Sequence, residues 1–314
     1  MVVKNLFKIC FLSVVVLLSS CSKEDDSVDN PDNATGNSTA VYLTDAPVDD
    51  ANVEAVFITV SEVKVNGKAV DNFEKTTLEI SSLTNGKTEL LGQLNLDAGM
   101  TNDITLVLSG SDASGNSLGN YVVLNGGSKE EIAGDMEINL NDNAAVIQDT
   151  ENEIVLDFDL RKSLKANNGD YSLVSESKLE NNISAVNTLN AGAVKGQVDN
   201  TSEANGDVVV AYAYKKGEFN SSEKDANGDG IRFSNAASSA VVSESSGNFE
   251  IHFLEEGDYE LHFASYSDSD SDGNLEFKGM VSASTASSLD LSGFTVTAGS
   301  EVNLEISFTG LLGL

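Results

Sequence analysis

Apolar residues in this chain come mostly in short runs of period two, broken every few residues by Asn, Gly, Asp or Ser. Such alternation buries one face of a strand and leaves the other to water, so it constrains the chain to packed antiparallel sheets. Val56, Ile58 and Val60 share one face, with Phe57 and Thr59 on the other. Ser61-Glu62 interrupts this alternation before Val63 and Val65 resume it, which predicts a bulge. Asn66-Gly67 and Asn85-Gly86 are two-residue turn signals. Further strands are predicted over 104–108, 121–124, 136–140 and 154–160. No long segment keeps a helical period with caps, so any helix is short. The expected fold class is all-β, with two antiparallel β-sandwich domains behind a lipidated flexible tether.

The first residues carry an address. Lys4 and Lys8 precede an apolar run over 9–18. That run is shorter than the roughly 20 residues a bilayer span needs, and it fits the core of a signal peptide over 1–20. Leu18-Ser19-Ser20-Cys21 resembles the bacterial lipobox. The resemblance implies cleavage before Cys21 and its acylation, and two or more acyl chains anchor a protein stably. Residues 21–39 are polar and acidic, with Pro31 and Gly36, and read as a tether that cannot bury enough surface to order itself. Ser22-Lys23-Glu24-Asp25-Asp26 resembles the acidic export signals of Gram-negative lipoproteins displayed on the outer face of the outer membrane. The alternative is a solvated linker.

Composition narrows the partners. The chain has 314 residues, enough for two domains, and a formal net charge of −32. Removing Lys4 and Lys8 with the signal takes −32 to −34. This excludes nucleic acid as a natural partner, because phosphate binding needs basic patches, and it suits divalent cations. Cys10 leaves with the signal and Cys21 is lipidated, so the mature chain has no disulfide and its cores must hold unaided. With no tryptophan, an aromatic platform for sugars falls to Tyr and Phe.

The first domain is expected over 40–188. Its opening, Val41-Tyr42-Leu43-Thr44-Asp45-Ala46-Pro47, is followed by the 53–65 strand, Leu90-Leu91-Gly92, Asp97-Ala98-Gly99 and 104–108. It closes with Val155-Leu156-Asp157-Phe158-Asp159-Leu160 and Tyr171-Ser172-Leu173. This order resembles the domain-of-unknown-function family 4382 over about 145 residues. The resemblance implies a bacterial lipoprotein location and no particular activity. Asp157 and Asp159 flank Phe158, so on a strand both carboxylates face one way. Such a pair can hold a metal or act as acid and base, the basis for a metal-dependent hydrolase reading. The plainer reading is a polar strand face, with Asp45 making a local turn into Pro47. This domain contains neither histidine nor cysteine, so no His- or Cys-based nucleophilic site is expected.

A boundary is expected at Asn190-Ala191-Gly192, opening a second domain over 190–314. Strands are predicted over 192–198 and 208–214, followed by a hairpin. The order resembles the carboxypeptidase regulatory-like, prealbumin-type sandwich, a fold shared with some starch-binding modules. Placing Phe249, Ile251 and Phe253 on one core face with Tyr259, Leu261 and Phe263 sets Phe253 opposite Tyr259. The loop is then Glu255-Glu256-Gly257, with Gly257 left-handed. In this register His252 opposes Glu260 and His262 opposes Glu250, as surface partners or as metal ligands.

Two acidic loops share one pattern. Asp225, Asn227 and Asp229 precede Gly230, and Asp268, Asp270 and Asp272 precede Gly273. Oxygen ligands at positions one, three and five, with glycine at six, resemble the first half of an EF-hand loop and imply calcium as cofactor. The twelfth-position glutamate is missing: Ala236 and Gly279 stand there. Glu223, Glu276 or water would complete the shells. Solvated acidic turns are the alternative. The expected function is a non-enzymatic outer-membrane surface lipoprotein acting as a binding or display module, with a glycan or a surface protein as partner. Carbohydrate binding in polysaccharide uptake is the alternative, followed by a metal-dependent hydrolase.

Overall fold

A computed structural model of the protein describes residues 36–47, 52–167, 170–270, 275–286 and 289–312. Cys21, the signal segment, the tether up to residue 35, and Asp272 lie outside the described residues. Thr35–Leu314 forms one compact unit. It is all-β, with short helices α1 (Leu160–Ser163) and α2 (Glu176–Asn182).

The first half packs two sheets over one core. One sheet runs in the order Ile183–Asn187, Asn152–Phe158, Asn37–Thr44, Glu89–Leu96. The other centres on the long strand Val53–Val65, flanked by Ile104–Leu108 and Asn120–Leu124. Val56, Ile58 and Val60 are fully buried between the sheets. Each side chain so buried contributes about 1.5–3 kcal/mol. The bulge expected at Ser61 is present, as a register shift between Val60 and Glu62. Asn66 and Gly67 take φ of 53° and 71°, the left-handed pair that a tight two-residue turn requires. Lys64 then pairs with Ala69. A strand missed in sequence, Ile183–Asn187, completes the first sheet against Asn152–Phe158.

The second half is one rolled sheet. Its order is Ser238–Val242, Val208–Lys215, Gly257–Ser267, Glu276–Thr285, Glu301–Leu311, Ala191–Val198, Asn248–Glu255. The first and last of these lie against each other, closing the layers over Val194, Ile251, Phe263 and Phe308. Purely antiparallel sheets are corrected at two places. Asn37–Thr44 runs parallel to Asn152–Phe158, and Ala191–Val198 runs parallel to Glu301–Leu311. Each pair is far apart in the chain, which leaves room for the long crossover that parallel strands need.

The expected 249–263 hairpin does not form. Asn248–Glu255 pairs with Ala191–Val198, whereas Gly257–Ser267 pairs with Val208–Lys215. Only Glu256 separates the two strands, fewer residues than a hairpin loop needs, so the chain crosses between walls of the rolled sheet. The left-handed residue is Phe253, φ 58°, rather than Gly257. It sits where the register against Ala191–Val198 shifts. This bulge sends Leu254 into the core and leaves Phe253 against Val155, Val186 and Ala191. Phe249, Ile251, Tyr259, Leu261 and Phe263 are buried, as their alternation requires.

The histidine partners change with the hairpin. His252 Nε2 lies 2.8 Å from Glu250 Oε2, and His262 Nε2 lies 3.6 Å from Glu260 Oε2. Each pair is two residues apart on one strand and so shares a face. The His262 ring stacks on Phe219 at 3.7 Å, and its burial lowers its pKa despite Glu260.

Gly196 faces Phe249 across the Ala191–Val198 and Asn248–Glu255 pair. A Cβ on Gly196 would stand 2.2 Å from the ring atoms Cε1 and Cζ of Phe249, so the ring covers the glycine. Gly196→Ala is expected to push that buried ring aside at a cost of about 1–3 kcal/mol. Urea denaturation reads it as a lower midpoint; an unchanged midpoint would show that the ring relocates freely.

Candidate metal loop and buried carboxylate junction

The second acidic loop follows the Gly257–Ser267 strand and returns into Glu276–Thr285. One carboxylate oxygen from each of Asp268, Asp270 and Glu276 falls within 4.8 Å of the others. A calcium ion sits about 2.3–2.6 Å from each ligand oxygen, so ligands on opposite sides of it are separated by about that span. Backbone contacts hold the cluster: Glu276 Oε2 accepts from Ser269 N at 3.0 Å, and Asp207 Oδ2 accepts from Asp268 N at 3.0 Å. Asp268 and Asp270 come from the acidic pattern itself, and Glu276 brings a third carboxylate oxygen beside them.

The first acidic loop is arranged differently. Asn227 Oδ1 accepts from the backbone N–H of Asp229 and Ile231, at 2.9 and 3.1 Å, which is an Asx turn. Asp229 pairs with the Lys178 ammonium from α2. Asp225 stands exposed at the start of the loop. Glu223, the candidate additional ligand, binds Asn235 instead, accepting its backbone N–H at 2.9 Å and its side-chain amide at 2.7 Å. These contacts build a turn, and among the described residues no acidic cluster gathers there.

Sequence reasoning passed over the junction between the halves. Arg161, at 3 % exposure, leaves α1 of the first half and ends inside the second. Its Nη1 donates to the carbonyls of Phe233 at 2.8 Å and Arg232 at 3.1 Å, and its Nε to Ser239 Oγ at 3.3 Å. Its guanidinium carbon lies 5.2 Å from the Tyr212 ring centre. Nη2 donates to Asp159 Oδ2 at 3.0 Å, and Lys162 Nζ lies 3.1 Å from the same oxygen. Burial alone would raise the Asp159 pKa, but Arg161 and Lys162 hold it below the usual carboxylate range. Asp159 also caps α1, accepting from Lys162 N. The signal for this role was an Asp-x-Arg-Lys cluster directly after a strongly apolar strand.

Asp45 and Asp157 complete the junction. Asp45 makes no local turn with Pro47; its Oδ1 accepts from Leu160 N at 3.0 Å, across 115 residues of chain. Burial, with the charges of Asp157 and Asp159, raises its pKa well above the usual range. Asp157 is pushed up to about 7, by burial first and then by Asp159. Asp45 Oδ2 and Asp157 Oδ1 are buried without a hydrogen-bond partner.

Raising a carboxyl pKa on folding means that the folded state holds a proton the unfolded chain has lost. Between the unfolded value near 3.8 and the folded value near 7, rising pH therefore removes stability. Each pKa unit corresponds to about 1.4 kcal/mol, so the full effect is a few kcal/mol. In chelator, the melting temperature should fall from pH 5 to pH 8, and Asp157→Asn should flatten that fall. An equally steep fall in the variant would place the titrating group elsewhere.

No curated protein matches the sequence. Among solved structures, the chain is similar to a leucine-rich repeat protein from Bacteroides thetaiotaomicron, at 13 % identity and a TM-score of 0.21. That match covers 86 % of this chain and 26 % of that one, so the chain spans about a quarter of its length. The major pilin subunit of Bacillus cereus matches at 10 % identity and TM-score 0.21, covering 87 % of this chain and 70 % of the pilin. A B repeat unit of the collagen-binding surface protein of Staphylococcus aureus matches at 11 % and 0.20, covering 88 % and 100 %. At these scores the likenesses add nothing to the fold read from the strands themselves. Residues 38–175, from the first strand through Tyr171-Ser172-Leu173, match the family described as Domain of unknown function (DUF4382), as their motifs implied.

Proposed function

We propose that the chain is a non-enzymatic, lipid-anchored surface protein that displays two β-sandwiches and binds calcium in its second acidic loop. The observation that carries the calcium reading is the convergence of Asp268, Asp270 and Glu276 oxygens within 4.8 Å. In a chain of net charge −32, three carboxylates held this close repel one another unless a cation sits among them. The loop joins two neighbouring antiparallel strands of the rolled sheet, Gly257–Ser267 and Glu276–Thr285, so an ion there would stiffen their connection.

A display role is supported by how the buried carboxylates are used. Asp159 is tied to Arg161 and Lys162, and Asp45 to the Leu160 amide. The cavity beside Asp45 and Asp157 has a volume of about 20 Å³, room for a water or an ion but not for an organic substrate. Surface location follows from the lipobox resemblance at Cys21 and the acidic residues behind it.

Extracellular modules hold calcium at about 10⁻⁴ to 10⁻³ M. At 1 mM the stabilisation by mass action is then about 1 kcal/mol. Hydrogen exchange of the segment spanning Ser267 to Phe277 should slow in millimolar calcium relative to chelator. Asp268→Asn with Asp270→Asn should abolish the difference; identical exchange in calcium and chelator would leave the loop a plain acidic turn. For the anchor, Cys21→Ala should move the protein from the membrane fraction to the soluble fraction, and unchanged fractionation would contradict lipidation.

A further inference from the structure

Asp45 and Asp157 present a charge problem that the surrounding residues leave unsolved. They are 6 % and 7 % exposed. In each, one contact comes from the backbone: Leu160 N donates to Asp45, and Ala46 N to Asp157. Hydrogen bonds of this kind favour the ionised carboxylate. The remaining oxygens, Asp45 Oδ2 and Asp157 Oδ1, have no partner. Both residues line one small cavity between the first half and the Ser238–Val242 and Asn248–Glu255 strands of the second.

Arg161 and Lys162 pair with Asp159 and act on Asp157 through their charge alone, and His252 lies 2.8 Å from Glu250. A buried unpaired charge is among the costliest features a fold can carry. A water could donate hydrogen bonds to both orphaned oxygens, and a proton would neutralise either carboxylate, as burial favours; a cation competes with both for this place. The cavity, at about 20 Å³, holds one water-sized particle. Oxygen donors stand around it: Thr44, Asn85, Ser238 and Glu250 also line its walls. Carboxylate, hydroxyl and amide oxygens are the ligands that a hard cation takes.

We propose that this cavity is a cation site, in which one calcium ion is held directly between Asp45 Oδ2 and Asp157 Oδ1 and joins the two halves. The ion supplies the positive charge that the cavity walls lack. It is distinct from the loop site, which is exposed and lies wholly in the second half.

The test counts calcium bound to the compact unit, residues 35–314, by equilibrium dialysis at pH 7.5. The loop is first removed as a site by Asp268→Asn with Asp270→Asn. This chain should still bind one calcium per molecule, and adding Asp45→Asn with Asp157→Asn should weaken that binding at least tenfold. A loop-substituted chain that binds none, or a fourfold-substituted chain that binds as before, overturns the cavity site. Should the fourfold variant fail to fold, crystals of the unsubstituted chain grown in strontium decide the matter by anomalous scattering. A peak between Asp45 and Asp157 is expected there, and its absence, with only a proton or water between the carboxylates, overturns the proposal. Neither arm requires the loop to bind calcium.

Discussion

The Arg161 guanidinium is the contact on which the arrangement of the two halves depends. It is anchored by Asp159 in its own half and spends three hydrogen bonds on the other, at Arg232, Phe233 and Ser239. A planar fork of five donors suits this task, because several acceptors are met from one rigid group. Removing either partner of such a buried pair strands the other and costs about 3–5 kcal/mol. Lys162 adds a second positive charge beside Asp159, so positive charge exceeds negative there, and both cations act on Asp157 as well, whose pKa burial raises nonetheless.

Arg161 also explains an otherwise unfavourable turn. Phe233 is fully buried with a positive φ of 51°, a backbone state that a bulky residue adopts only when its surroundings fix it. Its ring lies 4.3 Å from Tyr212 between centroids, and its carbonyl accepts the Arg161 Nη1 hydrogen bond. Phe233 belongs to the excursion between the Val208–Lys215 and Ser238–Val242 strands, which folds over Tyr212, Tyr214 and Tyr266. The first acidic loop is part of this cover. Its Asp229 meets Lys178 of α2, a further contact between the halves. In this loop Asp229 thus serves the junction and Asn227 the local turn, while in the second loop oxygens of Asp268, Asp270 and Glu276 gather within 4.8 Å of one another.

Much of the fold was legible in the sequence, where a local rule decides the structure. Alternation located the strands around Val56 and Leu106; the break at Ser61 marked a bulge; Asn66-Gly67 marked a turn. Long-range choices were not legible. Nothing local distinguishes a parallel partner from an antiparallel one, so the pairing of Asn37–Thr44 with Asn152–Phe158 stayed hidden. The hairpin failed for a related reason: matching faces on consecutive strands are equally consistent with pairing and with crossing between layers. The unbroken apolar run Val208 to Tyr214 did hold an unused signal, because a strand buried on both faces needs a cover on each. For the candidate sites, the regular spacing of Asp268 and Asp270 was readable, whereas the junction assembles Asp45, Asp157, Arg161 and Ser239 from distant segments.

If Arg161 couples the halves, they should open together. Native-state hydrogen exchange in rising urea measures this directly, by comparing the slowest amides of the Ile104–Leu108 strand with those of Val208–Lys215. In the unsubstituted chain the two sets should merge into one global unfolding isotherm, and in Arg161→Ala they should separate. Independent isotherms in the unsubstituted chain would contradict the account.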